Sequence, residues 1–104
     1  MQPITKSEFD QKASGTLPLA VDFFAEWCGP CKMLSPVIES LVPEFAGKLE
    51  IVKVDVDAEQ ELAQKYGVTS IPTIVFIKNG QEVDRMVGFQ SKESLASKFS
   101  THAA

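Results

Sequence analysis

The chain has 104 residues, 44% hydrophobic and 23% charged, with a net charge of −4. That length and balance fit one globular domain over 1–104 with a single core. No apolar run approaches the roughly 20 residues a bilayer crossing needs, and the lysines are scattered, with no block to track phosphates, so neither membrane nor nucleic acid is an expected partner.

The opening MQPITKSEFD has neither a basic n-region nor an apolar h-region, which predicts no secretory leader while leaving a processed mature form open. SEFDQKA (7–13) reads as a short helix with Ser7 as N-cap, and an extra strand near Pro3–Thr5 is allowed before it. LPLAVDFFA (17–25) is the nearly continuous apolar run of a strand buried on both faces. From Cys31 to Ala46, Leu34, Val37, Ile38, Leu41, Val42 and Phe45 recur at helical spacing; Gly47 supplies a stop, Pro36 a kink and Pro43 a loosened last turn. LEIVKVDVD (49–57) alternates as a strand, and AEQELAQKYG (58–67) is a helix closed by Gly67. Residues 73–88 are two strands around Asn79-Gly80, a strong hairpin signal, and SKESLASKF (91–99) is a last amphipathic helix opened by Ser91. Strand–helix–strand demands a parallel pair and the hairpin adds antiparallel strands, so the fold class is α/β, a single mixed central sheet with helices on both faces.

Both cysteines fall in AEWCGPCK (25–32), separated only by Gly29 and Pro30. A bridge across so small a loop removes little entropy from the unfolded chain, so a stabilising disulfide is a poor account of the pair. A zinc site needs four ligands, and only His102 could add a nitrogen. Redox exchange remains. The pair lies between a central strand and a helix N-terminus, whose free N–H groups and partial positive charge favour a thiolate. Cys28, at the loop end beside an exposed Trp27, is the expected attacking thiol. Cys31, inside the first turn, is the expected resolving thiol. Gly29 permits the tight turn and Pro30 fits the first helical turn without wasting a donor.

Asp22 interrupts an otherwise apolar strand, and buried carboxylates are uncommon unless paired or functional. Lys53, in the middle of the next strand, is its candidate neighbour. A polar pocket or sheet edge with no chemical role is the plainer alternative.

DFFAEWCGPCKMLSP, KVDVD, YGVTSIPT, FIKNG and VGF follow one another over essentially the whole chain in a way that resembles the thioredoxin family. The resemblance implies the thioredoxin fold, and it implies a cis Ile71-Pro72 peptide against the disulfide. It implies a substrate groove of Trp27, Gly29, Pro30, Ser70, Ile71, Pro72, Val87, Gly88 and Phe89, where a substrate strand pairs with the backbone at Ile71. On residues alone, that apolar set reads as ordinary core. The resemblance also puts Asp22 beneath Cys31, assisting its deprotonation; Lys53 joins the catalytic set as the candidate neighbour of Asp22. The chain departs from the family at Phe24, where many relatives carry Trp, at Ser70, often Gly, and at Pro43; Ser70 and Phe89 bear on partner choice.

The expected activity is protein-disulfide reduction by a cytoplasmic monomer. No bound cofactor or metal is expected beyond the Cys28–Cys31 disulfide. The expected partners are protein disulfides and a thioredoxin reductase. Two rivals stay open: an oxidase or isomerase domain, which usually carries His between the cysteines, and a binding module gripping a partner in the groove with incidental thiols.

Overall fold

In the computed structural model, which describes residues 1–104, the chain runs α1 (Lys6–Ala13), β1 (Leu19–Phe24), α2 (Gly29–Leu41), a 3-10 turn (Val42–Phe45), β2 (Glu50–Asp55), α3 (Gln60–Lys65), β3 (Thr73–Lys78), β4 (Gln81–Val87) and α4 (Lys92–His102). The strands form one sheet in the order β2-β1-β3-β4. β1 pairs with β2 in parallel and with β3 antiparallel, and β3 pairs with β4 antiparallel. This is the expected mixed sheet with helices on both faces. No helix is long and apolar enough to cross a membrane.

The period of two along β1 divides its side chains between two cores. Leu19, Val21 and Phe23 pack with Phe9 of α1 and Leu62 and Ala63 of α3. Ala20 packs on the other face with Leu34, Ile38 and Leu41 of α2 and Leu95 and Phe99 of α4. Burial on both faces explains why β1 reads as an apolar run broken only by Asp22. The α2 stripe is what holds that helix to the sheet; Leu34→Ala would cost about 2–5 kcal/mol. By the same parity Asp22, between Ala20 and Phe24, faces α2.

Several boundaries differ from the sequence expectation. Thr5, and not Ser7, caps α1: its side chain accepts from the Glu8 N–H while Glu8 reaches back to the Thr5 N–H, a capping box. No strand forms at Pro3–Thr5; a single bond from the Ile4 N–H to the Lys53 carbonyl, 2.9 Å, lays that segment along β2. α2 begins at Gly29 and stops at Leu41, because Pro43 has no N–H to continue the ladder and the next residues tighten into the 3-10 turn. At the hairpin, Asn79 and Gly80 both take positive φ, 54° and 77°, the left-handed pair a two-residue turn requires.

Candidate active site

Cys28 is the N-cap of α2, with Gly29 and Pro30 opening the helix and Cys31 in its first turn. Cys28 and Cys31 are joined as a disulfide, their Cα atoms 5.2 Å apart. The Cys31 N–H donates to Cys28 Sγ at 3.2 Å. This is the bond an N-cap side chain makes to an otherwise free donor, made here by sulfur. The same donor and the helix dipole would stabilise negative charge on Cys28 once reduced. Exposure does not separate the two thiols, since Cys28 is 5% and Cys31 3% exposed. Hydrogen bonding does.

The Ile71-Pro72 peptide is cis, and the Ile71 carbonyl oxygen lies 3.9 Å from Cys28 Sγ. Ile71 packs on the small cluster formed by Phe24, Ala25 and the two cysteines. Gly88, with φ 88°, donates its N–H to the Pro72 carbonyl at 2.8 Å. That bond brings the Ser70–Pro72 and Val87–Phe89 segments together. Val87 and Phe89 are exposed large hydrophobics, as is Trp27 at 70%, while Gly29, Pro30 and Ser70 are also at the surface. These apolar groups are therefore surface, not core, apart from Pro72, which is buried. The Trp27 indole donates from Nε1 to Asp57 Oδ2 at 2.8 Å.

Asp22 is buried, 4% exposed, and its Oδ1 has no hydrogen-bond partner. Burial pushes its carboxyl up to about 7, and the positive charge of Lys53 opposes this without cancelling it. Lys53 stands opposite Asp22 in the β1–β2 register. Its ammonium, however, lies 4.7 Å over the Phe24 ring and makes no ion pair with the carboxylate. A cavity of about 120 Å³ opens beneath Cys31, with Glu26 and Lys32 in its wall together with Ser35 and Lys53.

No group of three or more His, Cys, Asp or Glu side chains is gathered to hold a metal. His102, the one imidazole, is taken up by Asp84, 2.8 Å from its Nε2, and by the Phe76 ring. Sequence reasoning missed Asp57 and Ser35. Asp57 is thirty residues from Trp27 with no periodic signal to join them; Ser35 carried one, since i and i+4 share a helix face and Cys31 is one turn before it.

A family model described as Thioredoxin matches residues 1–101. Thioredoxins of Staphylococcus aureus strains Mu50 and COL are each 50% identical over 99 residues, covering 95% of this chain and 94% of theirs. A solved mutant thioredoxin from Halobacterium salinarum NRC-1 superposes with a TM-score of 0.88 at 35% identity, over 98% of this chain and 88% of that one.

Proposed function

Because the chain belongs to the thioredoxin family and is a dithiol–disulfide oxidoreductase acting through Cys28 and Cys31, we propose that Cys28 is the attacking thiol and Cys31 the resolving one. The observation that carries this assignment is the Cys31 N–H on Cys28 Sγ at the head of α2, because a hydrogen bond to the charged form favours it. In the reduced protein the Cys28 thiolate attacks one sulfur of a protein disulfide. The other substrate sulfur leaves as a thiolate and takes a proton from water. Cys31 then gives its proton to the Asp22 carboxylate and attacks Cys28 Sγ, expelling the second substrate sulfur. Two electrons have passed to the substrate, and the internal disulfide remains.

The substrate's extended segment lies across the face formed by Trp27, Gly29, Pro30, Ser70–Pro72 and Val87–Phe89, its backbone against Ile71. Support comes from the exposure of Trp27, Pro30, Ser70, Val87 and Phe89 around a cystine that is itself covered. Asp22 serves as proton acceptor; a carboxyl with its affinity for protons raised toward neutrality is suited to that exchange. Lys53 keeps Asp22 from titrating still higher.

The thiol–disulfide couple needs no bound cofactor. A thioredoxin reductase returns the two electrons, as the family membership suggests, and the protein works in a reducing, cytoplasmic compartment. Gly-Pro between the cysteines supports this, because it adds neither donor nor charge that would make the disulfide more oxidising. The test is equilibration with glutathione alongside reduction of a protein disulfide such as insulin. A couple more reducing than glutathione, with turnover lost when both cysteines become Ser, supports the reading. A couple more oxidising than glutathione would place the protein among oxidases.

A further inference from the structure

Ser35 lies one helical turn after Cys31 on α2, half-buried, and shares the wall of the cavity beneath Cys31 with Lys53. Its hydroxyl proton is committed: Oγ donates to Glu39 Oε2 at 3.2 Å, while Glu39 Oε1 takes the N-terminal amine at 2.9 Å. The oxygen lone pairs of Ser35 are thus left to accept from the cavity. Across that space the Lys53 ammonium has donors to spare, since its contact is the Phe24 ring and no carboxylate. A space of about 120 Å³ whose wall carries Ser35 and Lys53 beside Phe24, Ala25 and Cys31 has room for water and polar groups to hold it.

We infer that Ser35 is a positioning residue for the resolving step, holding a water, fed by Lys53, against the sulfur of Cys31. The water accepts a hydrogen bond from the Lys53 ammonium and donates one to Ser35 Oγ. Its second proton donates to Cys31 Sγ as the thiolate forms, and no covalent bond of the water breaks. The charged groups of the cavity wall are Lys53 from β2 and, at the rim, Glu26 and Lys32; Asp22 of β1 stands opposite Lys53 in register, and Glu39 lies behind Ser35. Of the two cations in the cavity wall, Lys53 is half-buried and Lys32 exposed, so Lys53 is the one assigned to feed the water that Ser35 receives. Losing the Ser35 oxygen leaves the water without its anchor and so weakens the hydrogen bond it donates to the charged state of Cys31, which disfavours the thiolate.

The inference rests on Cys31 being the resolving thiol. Reduced protein mixed with 5,5′-dithiobis(2-nitrobenzoate) releases the coloured thiolate twice, first on attack by Cys28 and then on displacement by Cys31. Cys31→Ser should lose the second phase outright; if it does not, the assignment of Cys31 fails before Ser35 is in question. Given that loss, Ser35→Ala should slow the second phase about three- to tenfold, the range one net hydrogen bond supplies. It should also move the midpoint of that phase's pH profile upward and leave the first phase unchanged. Ser35→Thr, which keeps the hydroxyl, should restore both rate and midpoint. A Ser35→Ala second phase equal to wild type overturns the inference. So does equal slowing of both phases, or a Ser35→Thr variant as slow as Ser35→Ala.

Discussion

Asp22 and Lys53 are partners in the β1–β2 register, yet the ammonium sits over the Phe24 ring and the carboxylate keeps one oxygen without a hydrogen bond. Two opposite charges in adjacent strands have been held near each other and not allowed to pair. The consequence is a carboxyl whose affinity for its proton is set by burial, at about 7, and only moderated by the lysine. A closed ion pair there would lower the proton affinity of the carboxylate and make it a weaker acceptor for the proton that Cys31 is proposed to give up.

The same arrangement makes Asp22 costly to stability. Its folded-state value, about 7, lies above the unfolded value of about 4. Its contribution is therefore fully present below pH 4 and is lost as pH rises through 7. Asp22→Asn is nearly isosteric and cannot ionise. The excess of its melting temperature over wild type should widen between pH 4 and 7 and level off above, reaching at least several degrees at pH 8. Thermal unfolding across that range checks it; an excess that does not change with pH would mean that Asp22 is not protonated in the fold. The variant should also slow the resolving step.

The order of attack is open to trapping. Cys28→Ser should abolish reduction of a protein disulfide, and Cys31→Ser should accumulate a covalent adduct through Cys28, identified by peptide mapping. Adducts on Cys31 in the Cys28→Ser protein, formed at a comparable rate, would reverse the roles and remove the significance of the Cys31 N–H bond to Cys28 Sγ.

Much of this was legible in the chain because single local rules decide it. Asn79-Gly80 fixes a turn by its tolerance of positive φ, and the spacing of Leu34, Ile38 and Leu41 fixes which face of α2 meets the sheet. What was misread turned on competition between neighbours. Thr5 and Ser7 both offer a hydroxyl near the start of α1, and Glu8, three residues after Thr5, settles the cap. Leu41 and Phe45 keep one apolar stripe, so the periodicity runs on through Pro43 although the backbone ladder does not. The position of the Lys53 ammonium is beyond any pattern, because register places its Cα and only the packing of Phe24 places its tip.

Trp27 is the chain's single indole, and its ring is held by a hydrogen bond to Asp57. Reduction of the disulfide should still change its emission, since Cys28 is its sequence neighbour, but without unfolding. Asp57→Ala should release the ring, and the emission difference between the redox forms should then alter in size. Fluorescence spectra of both forms of both proteins make the comparison; an unchanged difference would mean that the Asp57 bond does not hold the indole in solution. Loss of that bond should also raise KM for a protein disulfide more than it lowers kcat if the ring belongs to the docking face proposed above.

The last prediction concerns the end of the fold away from the thiols. Asp84 on β4 accepts from Lys98 at 2.6 Å and lies 2.8 Å from His102, so one carboxylate ties β4 to two successive turns of α4. These contacts, led by Lys98 and then His102, hold its carboxyl down at about 2. The sign is opposite to that of Asp22. A depressed carboxyl contributes stability above its unfolded value, near 4, and that contribution is lost as pH falls through about 2. Asp84→Asn should therefore lower stability at pH 7 and approach wild type as the pH falls toward 2. The groups are partly exposed, so the loss should be no more than about 1 kcal/mol and should shrink in high salt. Urea unfolding at pH 7 in low and high salt, followed by a pH series, measures each part. A larger loss that salt does not reduce would mean that Asp84 acts through packing of α4 on β4 and not through its charge.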